Sequence, residues 1–356
     1  MNAAAVKFDG KHKYIRITDI DEETSDFIPN PLSSPDGVLE QKYLVKENDI
    51  LFARTGASVG KSYLYNHNDG ELYFAGFLIR ARIKSEYNGA FIYYQTKSKK
   101  YDRWVKLTSM RSGQPGINSQ EYSSYPIAIT CKAEQDKIAD FFQLLDYRIT
   151  VQNKIIEDLK ILKKELCNRA FSKGSAVRLG ELIEEVTVRN KSNACDNVLS
   201  VSNKMGFVKQ SEQFEDRTIA SENKSNYKVV TKGCFAYNPA RINVGSIALL
   251  SSHSMGIISP MYVCFKAKNV LDSTYLSFYY QSDFFARELQ KKLEGSVRQC
   301  LTYENMREII IPYVNIERQR GIATTLNRFT MLIATEEKCL KALQKQKSYF
   351  LNAMFI

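Results

Sequence analysis

Several loops of this sequence combine glycine with side chains that proteins use to contact nucleic acids. Arginine, lysine, asparagine and glutamine hydrogen-bond to base edges, whereas hydroxyl groups and loop amides more often contact phosphates. The first half of the chain offers Arg54, Thr55, Ser58, Lys61, Arg111, Ser112, Gln114 and Asn118, and the second half offers Asn238, Arg241, Asn243, Ser296, Arg298 and Gln299. A structural interpretation is equally simple, because Gly56, Gly60, Pro115 and Gly116 could shape turns that hold each domain together. We therefore treat these polar residues as candidate DNA contacts.

The loop GASVGKS, residues 56–62, superficially resembles a nucleotide-binding loop. A P-loop needs four residues between its first glycine and the Gly-Lys pair, so that its amides wrap a phosphate. Only three residues separate Gly56 from Gly60, and the corresponding loop of the second half, NVGS at residues 243–246, has no lysine. We expect a glycine-bounded hairpin that joins two strands, and no ATP site.

Nothing else in the sequence supports catalysis. YNPAR, residues 237–241, is similar to the Asn-Pro-Pro-aromatic motif of amino-methyltransferases, but Ala240 occupies the position of the second proline. No glycine-rich cofactor loop accompanies it, and we find neither a nucleophile-base pair nor paired carboxylates. None of the three histidines, His12, His67 and His253, has another potential ligand at the sequence spacing of a metal site, so we expect no metal site.

The composition narrows the class of protein. A chain of 356 residues, with 44% hydrophobic and 12% aromatic residues, is long enough for two domains with real cores. The net charge of +11 favours a polyanionic partner, although a merely soluble basic protein would show the same excess. No apolar stretch reaches the ~18 residues of a membrane helix, and the N-terminus lacks a signal core. Seven cysteines without a CxxC motif indicate reduced thiols, and we predict a cytoplasmic protein.

The elements that must position these loops are repeated. The segment at residues 133–171 returns at residues 316–355, with Gln135 matching Gln319 and Phe171 matching Phe355. Each matched pair is 184 residues apart, so the register holds without a gap. The repeat indicates that one unit has been duplicated, which predicts two similar sites and a bipartite function.

Both repeated segments carry apolar residues in alternating steps of three and four, which is typical of a coiled coil. The predicted seam consists of Ile138, Phe142, Leu145, Ile149, Ile156, Leu159 and Leu166 in the first helix, and of Ile322, Leu326, Phe329, Ile333, Leu340, Leu343 and Phe350 in the second. Polar residues recur within the seam, since Gln152 aligns with Glu336 and Lys163 with Lys347, and we expect them to fix the alignment of two helices. The alternatives are two amphipathic helices packed separately on their own domains, and a helix that pairs with another chain.

A globular segment precedes each helix. Runs rich in β-branched and aromatic residues predict strands of the first segment at 14–20, 49–54, 62–66 and 72–83. A helix is predicted over 89–105 and a loop over 109–127, and the second segment repeats this order with a helix over 273–293. We therefore predict an α/β (α+β) chain of two pseudo-repeated globular domains and two long helices, with bounds 1–132, 133–173, 174–315 and 316–356.

The runs NDILFARTGASVGKSYLYN, SGQPGINSQEYSSYPI and EQDKIADFFQLLDYRITVQNKIIEDLKILKK, at residues 48–66, 112–127 and 134–164, resemble the DNA-specificity (S) subunit of type I restriction-modification systems. The similarity covers nearly the whole chain. It implies a non-catalytic subunit with two target-recognition domains that each read one half of a split double-stranded DNA sequence. It further implies that the two helices pair antiparallel as a spacer and dock two methylation subunits. Restriction subunits then join this complex. S-adenosylmethionine, ATP and Mg²⁺ are then expected on the partner subunits, with no cofactor on this chain.

The two halves differ at their start. The second half opens with AVRLGELIEEVTVRN, residues 176–190, before its first strand, whereas the first half reaches its first strand after thirteen residues. The family usually has a Leu-Gly-Glu opening in both halves, so we expect a shortened N-terminus. One alternative function is an orphan or truncated DNA-binding decoy or anti-restriction protein. Another is a stand-alone nucleotide-dependent enzyme, which the broken glycine loop and the Asn-Pro-Ala sequence disfavour.

Overall fold

The structure is a computed structural model, and it describes residues 1–22, 24–203, 205–210, 224–294 and 299–355. The chain divides into two compact units, which we call unit 1 (Met1–Asn153 with Lys338–Ile356) and unit 2 (Lys154–Glu337). Within the described ranges, none of the helices combines the length and apolarity needed to span a bilayer.

In its described part, unit 1 contains three short α-helices, α1 (Gly89–Gln95), α2 (Lys99–Thr108) and α3 (Ser119–Ser123). Each starts at a capping side chain that accepts a backbone N–H: Asn88 caps α1 at 3.0 Å, Ser98 caps α2 at 3.3 Å and Asn118 caps α3 at 3.0 Å. The prediction of one helix over 89–105 was wrong, because the Ser98 hydroxyl begins a new helix after the end of α1.

The strands of unit 1 are β1 (Ala5–Lys7), β2 (Lys13–Ile15), β3 (Ser33–Pro35), β4 (Asp49–Ala53), β5 (Ser62–Leu64), β6 (Leu72–Phe74) and β7 (Leu78–Arg82). They form small sheets of β1 with β3, of β2 parallel to β6, and of β4 between β5 and β7. Strand β4 is buried along its whole length. It pairs antiparallel with β5, Ile50 opposite Leu64, which confirms the predicted hairpin around GASVGKS.

The strands of unit 2 are β8 (Ser175–Arg178), β9 (Ile183–Glu185), β10 (Val198–Ser202), β11 (Gly206–Lys209), β12 (Lys228–Thr231), β13 (Cys234–Tyr237), β14 (Ile247–Leu249), β15 (Met255–Ile258), β16 (Val263–Ala267) and β17 (Ile310–Tyr313). Among the described residues of this unit, the short α-helices are α5 (Leu179–Leu182), α6 (Ser273–Tyr279), α7 (Asp283–Gln290) and α8 (Tyr303–Arg307). The sheets have the orders β11-β10-β15-β12, β14-β13-β16-β9 and β17-β8. Strand β13 pairs antiparallel with β14 and β16, as β4 does with β5 and β7, so the central three strands are repeated.

The two long helices are α4 (Lys132–Ala170) and α9 (Ile316–Met354), and each contributes one end to each unit. In unit 1 their contacts run antiparallel, since Phe141 meets Phe350 with ring centroids 5.1 Å apart while Asp146 pairs with Lys347. In unit 2, Leu166 and Ile322 pack against one hydrophobic core. All of the predicted seam residues named above are buried or half-buried.

The repeat is also seen in individual hydrogen bonds, because Gln135 and Gln319 form the same bonds at equivalent positions. Gln135, 1% exposed, accepts a hydrogen bond on Oε1 from the backbone N–H of Asn88 at 2.9 Å. Gln319, 0% exposed, accepts one from Asp272 N–H at 2.8 Å. The Nε2 atom of each donates to a carbonyl oxygen two residues before its long helix, at 2.7 Å. Each glutamine thereby joins the N-cap of a short helix to the start of a long one, and leaves no buried amide group unpaired.

Candidate nucleic-acid interface

The two candidate loops of unit 1 lie side by side. The backbone N–H of Ile117 donates to the carbonyl oxygen of Arg54, and that of Gly56 donates to Pro115, both at 2.9 Å. Thr55 is also bridged to Gly116. Residues 54–61, which follow β4, and residues 109–118, which follow α2, therefore form one continuous surface.

Gly60 packs this loop against α2. Its backbone has a φ of +87°, and a Cβ atom there would lie 2.5 Å from Cγ1 of Val105. The carbonyl oxygen of Gly60 accepts a hydrogen bond from the Tyr101 hydroxyl at 2.9 Å, and its N–H donates to Ala53 O at 3.1 Å and to the Tyr122 hydroxyl at 3.2 Å. The polar groups of this glycine are thus engaged inside unit 1, as the structural interpretation of the loop expects.

Unit 2 repeats the connection between its loops. The N–H of Leu301 donates to Pro239 O at 3.1 Å, which matches the link from Ile117 to Arg54 in unit 1. Gly245 takes a φ of +88°, close to the +87° of Gly60, but nothing lies within 4 Å of a Cβ added to it. Both units therefore present a glycine-containing loop after the central strand, held by the segment that follows the short helices.

Some candidate side chains remain open to a ligand. Within the described ranges, these side chains are exposed or half-buried and have no hydrogen bond or ion pair: Arg54, Thr55, Ser58, Ser112, Gln114, Arg241, Asn243 and Gln299. Ser296 and Arg298 lie outside the described residues. The open set contains one arginine in each unit, at the loop that follows the central strand.

Other candidate side chains hold the loops themselves. Lys61 donates to Glu22 at 2.9 Å, and Arg111 pairs with Glu121. The Oδ1 atom of Asn118 caps α3, and Asn238 is buried and accepts a hydrogen bond from the N–H two residues on at 3.1 Å. Asn118 N–H and Arg111 lower the pKa of the Glu121 carboxyl by hydrogen bonding, so this acid stays charged in the cap. Asn118 and Asn238 are thus structural residues, and we exclude them from the contacts proposed below.

A cationic face on α2 was missed by the sequence interpretation. Lys99, Arg103 and Lys106 are exposed and recur at steps of four and three, which places them on one helix face. Among the residues that the structure describes, none of the three forms a salt bridge, although the exposed Asp102 on the same face interacts electrostatically with Lys106. The equivalent position to Lys99 on α7 is Asp283, so unit 2 does not repeat this face. The steps of four and three between these cations are the sequence signal for such a face, and it lies outside the glycine-containing loops.

A second kind of surface lies on the long helices. In unit 1, Leu144 and Tyr147 of α4 are exposed, Tyr147 by 70%. In unit 2, Met331 and Leu332 of α9 are exposed, Met331 by 71%. Tyr147 and Met331 are 184 residues apart, so the repeat places a large exposed apolar side chain at the same position of both helices. Contiguous exposed apolar side chains are typical of protein-binding surfaces.

Two repeated units, each with open polar side chains in a glycine-containing loop, define an internally duplicated protein with two candidate nucleic-acid-binding surfaces. The family model described as "Type I restriction modification DNA specificity domain" matches residues 1–160 and 177–345. The chain therefore belongs to the family of type I restriction-modification specificity subunits (HsdS), and it is a non-catalytic subunit of such a system.

Individual relatives agree with the family. The type I restriction enzyme MjaVIII specificity subunit of Methanocaldococcus jannaschii is 23% identical, with 89% of this chain and 80% of the relative covered. Among solved structures, the HsdS subunit from Thermoanaerobacter tengcongensis is 16% identical with a TM-score of 0.51, covering 96% of this chain and 89% of that one. The type I S subunit from M. genitalium is 15% identical with a TM-score of 0.59, covering 100% and 93%. At these identities the solved structures establish the fold alone.

Proposed function

We propose that this specificity subunit reads a bipartite double-stranded DNA target, with unit 1 on one half-site and unit 2 on the other. The observation that carries the proposal is the repeated loop connection, Ile117 to Arg54 in unit 1 and Leu301 to Pro239 in unit 2. Each connection supports a loop with an open arginine, Arg54 or Arg241. Because the rest of each loop differs in sequence, the two units are expected to recognise different bases.

Base contacts are assigned to the open side chains with suitable chemistry. Arg54 and Gln114 in unit 1, and Arg241 and Asn243 in unit 2, can form the paired hydrogen bonds that distinguish guanine or adenine in the major groove. Hydroxyls such as that of Thr55 suit phosphates. We assign the cationic face of α2 to phosphates as well, since a protein that places exposed lysine and arginine side chains on phosphates gains affinity by releasing counterions.

The long helices are proposed to dock two methylation subunits. Exposed apolar side chains at Tyr147 and Met331 occur at equivalent positions of the repeat, which suits two copies of one partner. Restriction subunits would join through that complex. In this assembly, which we place in the cytoplasm, S-adenosylmethionine, ATP and Mg²⁺ bind to the partners, and this chain holds none of them.

Selection of bound duplexes from a randomised library tests the assignment. The complex of this chain with its methylation subunit is compared with its Arg54→Ala and Arg241→Ala variants. Loss of one bidentate contact is expected to weaken discrimination by about 1–3 kcal/mol at one base pair. Each variant should therefore lose base preference in a different half-site and keep the preference in the other. Relaxation of the same half-site by both variants, or full affinity with an unchanged salt dependence in both, would contradict the assignment.

A further inference from the structure

In unit 1, three side chains close the seam between α4 and α9. The Tyr94 hydroxyl donates to Oδ2 of Asp146 at 2.9 Å, and Lys347 forms an ion pair with Oδ1 of the same carboxylate. The Lys347 ammonium also lies over the Tyr94 ring, 5.9 Å from its centroid. The carboxylate is thus held between the hydroxyl of the buried Tyr94 and the ammonium group of the half-buried Lys347.

The repeat predicts the same cluster in unit 2, but two of its members have changed. A shift of 184 residues converts Tyr94 to Phe278, Asp146 to Thr330 and Lys347 to Lys163. Lys163 still lies over the ring of Phe278, 5.4 Å from its centroid, so the ammonium group keeps its place relative to the aromatic ring. The hydroxyl and the carboxylate that would face it are both absent from these positions.

Lys163 is therefore a half-buried cation without a counter-ion. Among the described residues, no carboxylate lies within salt-bridge distance of its Nζ, whereas neighbouring Lys160 pairs with Glu337 at 2.7 Å and Lys164 approaches Asp283 at 3.8 Å. Burial lowers the pKa of Lys163, because the charged ammonium has lost water without gaining a partner. An anion at this point would reverse that loss.

There is room for such an anion. A cavity of about 320 Å³ lies beside Lys163, and its lining residues are Lys160, Lys163, Lys164, Cys167, Gln281, Thr330 and Ile333. Since one water occupies roughly 30 Å³ of the liquid, the cavity can hold a carboxylate together with several waters. None of its lining residues is acidic, and of its three lysines Lys160 and Lys164 already have carboxylate partners, so the attraction for a negative ligand comes mainly from Lys163.

We propose that this cavity of unit 2 binds a carboxylate or a similar small oxyanion, in the place that Asp146 occupies in unit 1. The ligand has two possible sources, an acidic side chain of the methylation subunit or a free anion. The first source rests on the proposed docking of that subunit to the long helices, whereas the second requires only the cavity and Lys163.

Thermal unfolding of the full chain tests the free anion. At constant ionic strength, replacing chloride by acetate or inorganic phosphate should raise the Tm of the wild-type protein by about 2 °C or more. Thr330→Asp supplies an internal carboxylate, and should raise the Tm in chloride and abolish the anion response. Lys163→Met removes the ammonium group, and should abolish the anion response without adding a carboxylate. The matched control Asp146→Thr recreates the open site in unit 1, and should lower the Tm in chloride and add an anion response.

Affinity for the methylation subunit tests the other source. If a partner carboxylate enters the cavity, Thr330→Asp and Lys163→Met should each weaken assembly by roughly tenfold, the loss expected for one charge-assisted hydrogen bond. An anion response lost in both variants supports a free anion, and weakened assembly in both supports the partner side chain. If both variants keep the anion response of the wild-type protein and neither variant weakens assembly, the proposal is overturned. Failure of the wild-type chain to bind the methylation subunit would count against the proposed docking instead, and the Tm series would then decide on the cavity.

Discussion

Replacement of Gly60 by alanine should destabilise unit 1 strongly, for two separable reasons. The φ of +87° places Gly60 in the left-handed region, where an L-residue costs roughly 1–2 kcal/mol. The added Cβ would also lie 2.5 Å from Cγ1 and 2.9 Å from Cγ2 of Val105, and overpacking of this kind costs about 1–3 kcal/mol. The expected loss in the free energy of unfolding is therefore about 2–5 kcal/mol.

Gly37 provides the matched control. Its φ is +83°, but nothing lies within 4 Å of a Cβ built on it, so Gly37→Ala should lose only the backbone part, about 1–2 kcal/mol. Both glycines belong to unit 1, and so does Trp104, the single tryptophan of the chain, which packs among the tyrosines of α2 and α3. Urea denaturation followed by tryptophan fluorescence therefore measures both variants with one probe.

A double-mutant cycle isolates the contact itself. Val105→Ala removes the methyl groups that meet the new Cβ, so the Gly60→Ala and Val105→Ala changes should couple by at least ~1 kcal/mol. Equal losses for Gly60→Ala and Gly37→Ala, with no coupling to Val105, would refute the close packing of this loop against α2. No loss in either variant would refute the left-handed backbone conformation.

Three further changes test other parts of the structure. Gln135→Ala should cost about 2 kcal/mol in urea denaturation, because a buried N–H and a carbonyl oxygen lose their partner. Joint replacement of Lys99, Arg103 and Lys106 by glutamine should reduce the magnitude of the negative slope of log K against log salt by about 2–3 in DNA-binding titrations of the complex, with the sequence preference retained. Tyr147→Glu should leave one methylation subunit in place of two, as measured by native mass spectrometry.

The repeat and the apolar stripe of each long helix were predictable because they depend on periodicity alone. Burying an apolar stripe requires the spacing that Phe142 and Leu326 follow, and both are buried in the structure. The hairpin around GASVGKS was predictable for a similar reason, since two β-rich runs flank a short glycine-bounded loop.

Competition for hydrogen bonds was harder to anticipate. Ser98 lies in the polar run QTKSKK, residues 95–100, where several side chains could end or begin a helix, and only the structure shows that its hydroxyl begins α2. Asn118 and Asn238 have the right chemistry for bases, but a helix cap and a buried turn use their side chains first. The seam lysines aligned with each other in the sequence, yet their surroundings differ because the residues at 146 and 330, on the opposite helix, differ.

Two repeated units that read the two halves of one DNA target imply a methylation pattern that can be mapped directly. Co-expression of this chain with its methylation subunit, followed by single-molecule sequencing of N6-methyladenine in the host genome, measures that pattern. We expect a split motif with two short defined halves, which disappears when this chain is deleted and loses definition in one half only with Arg54→Ala. A single continuous motif, or methylation that persists without this chain, would rule out recognition of a split target by this chain.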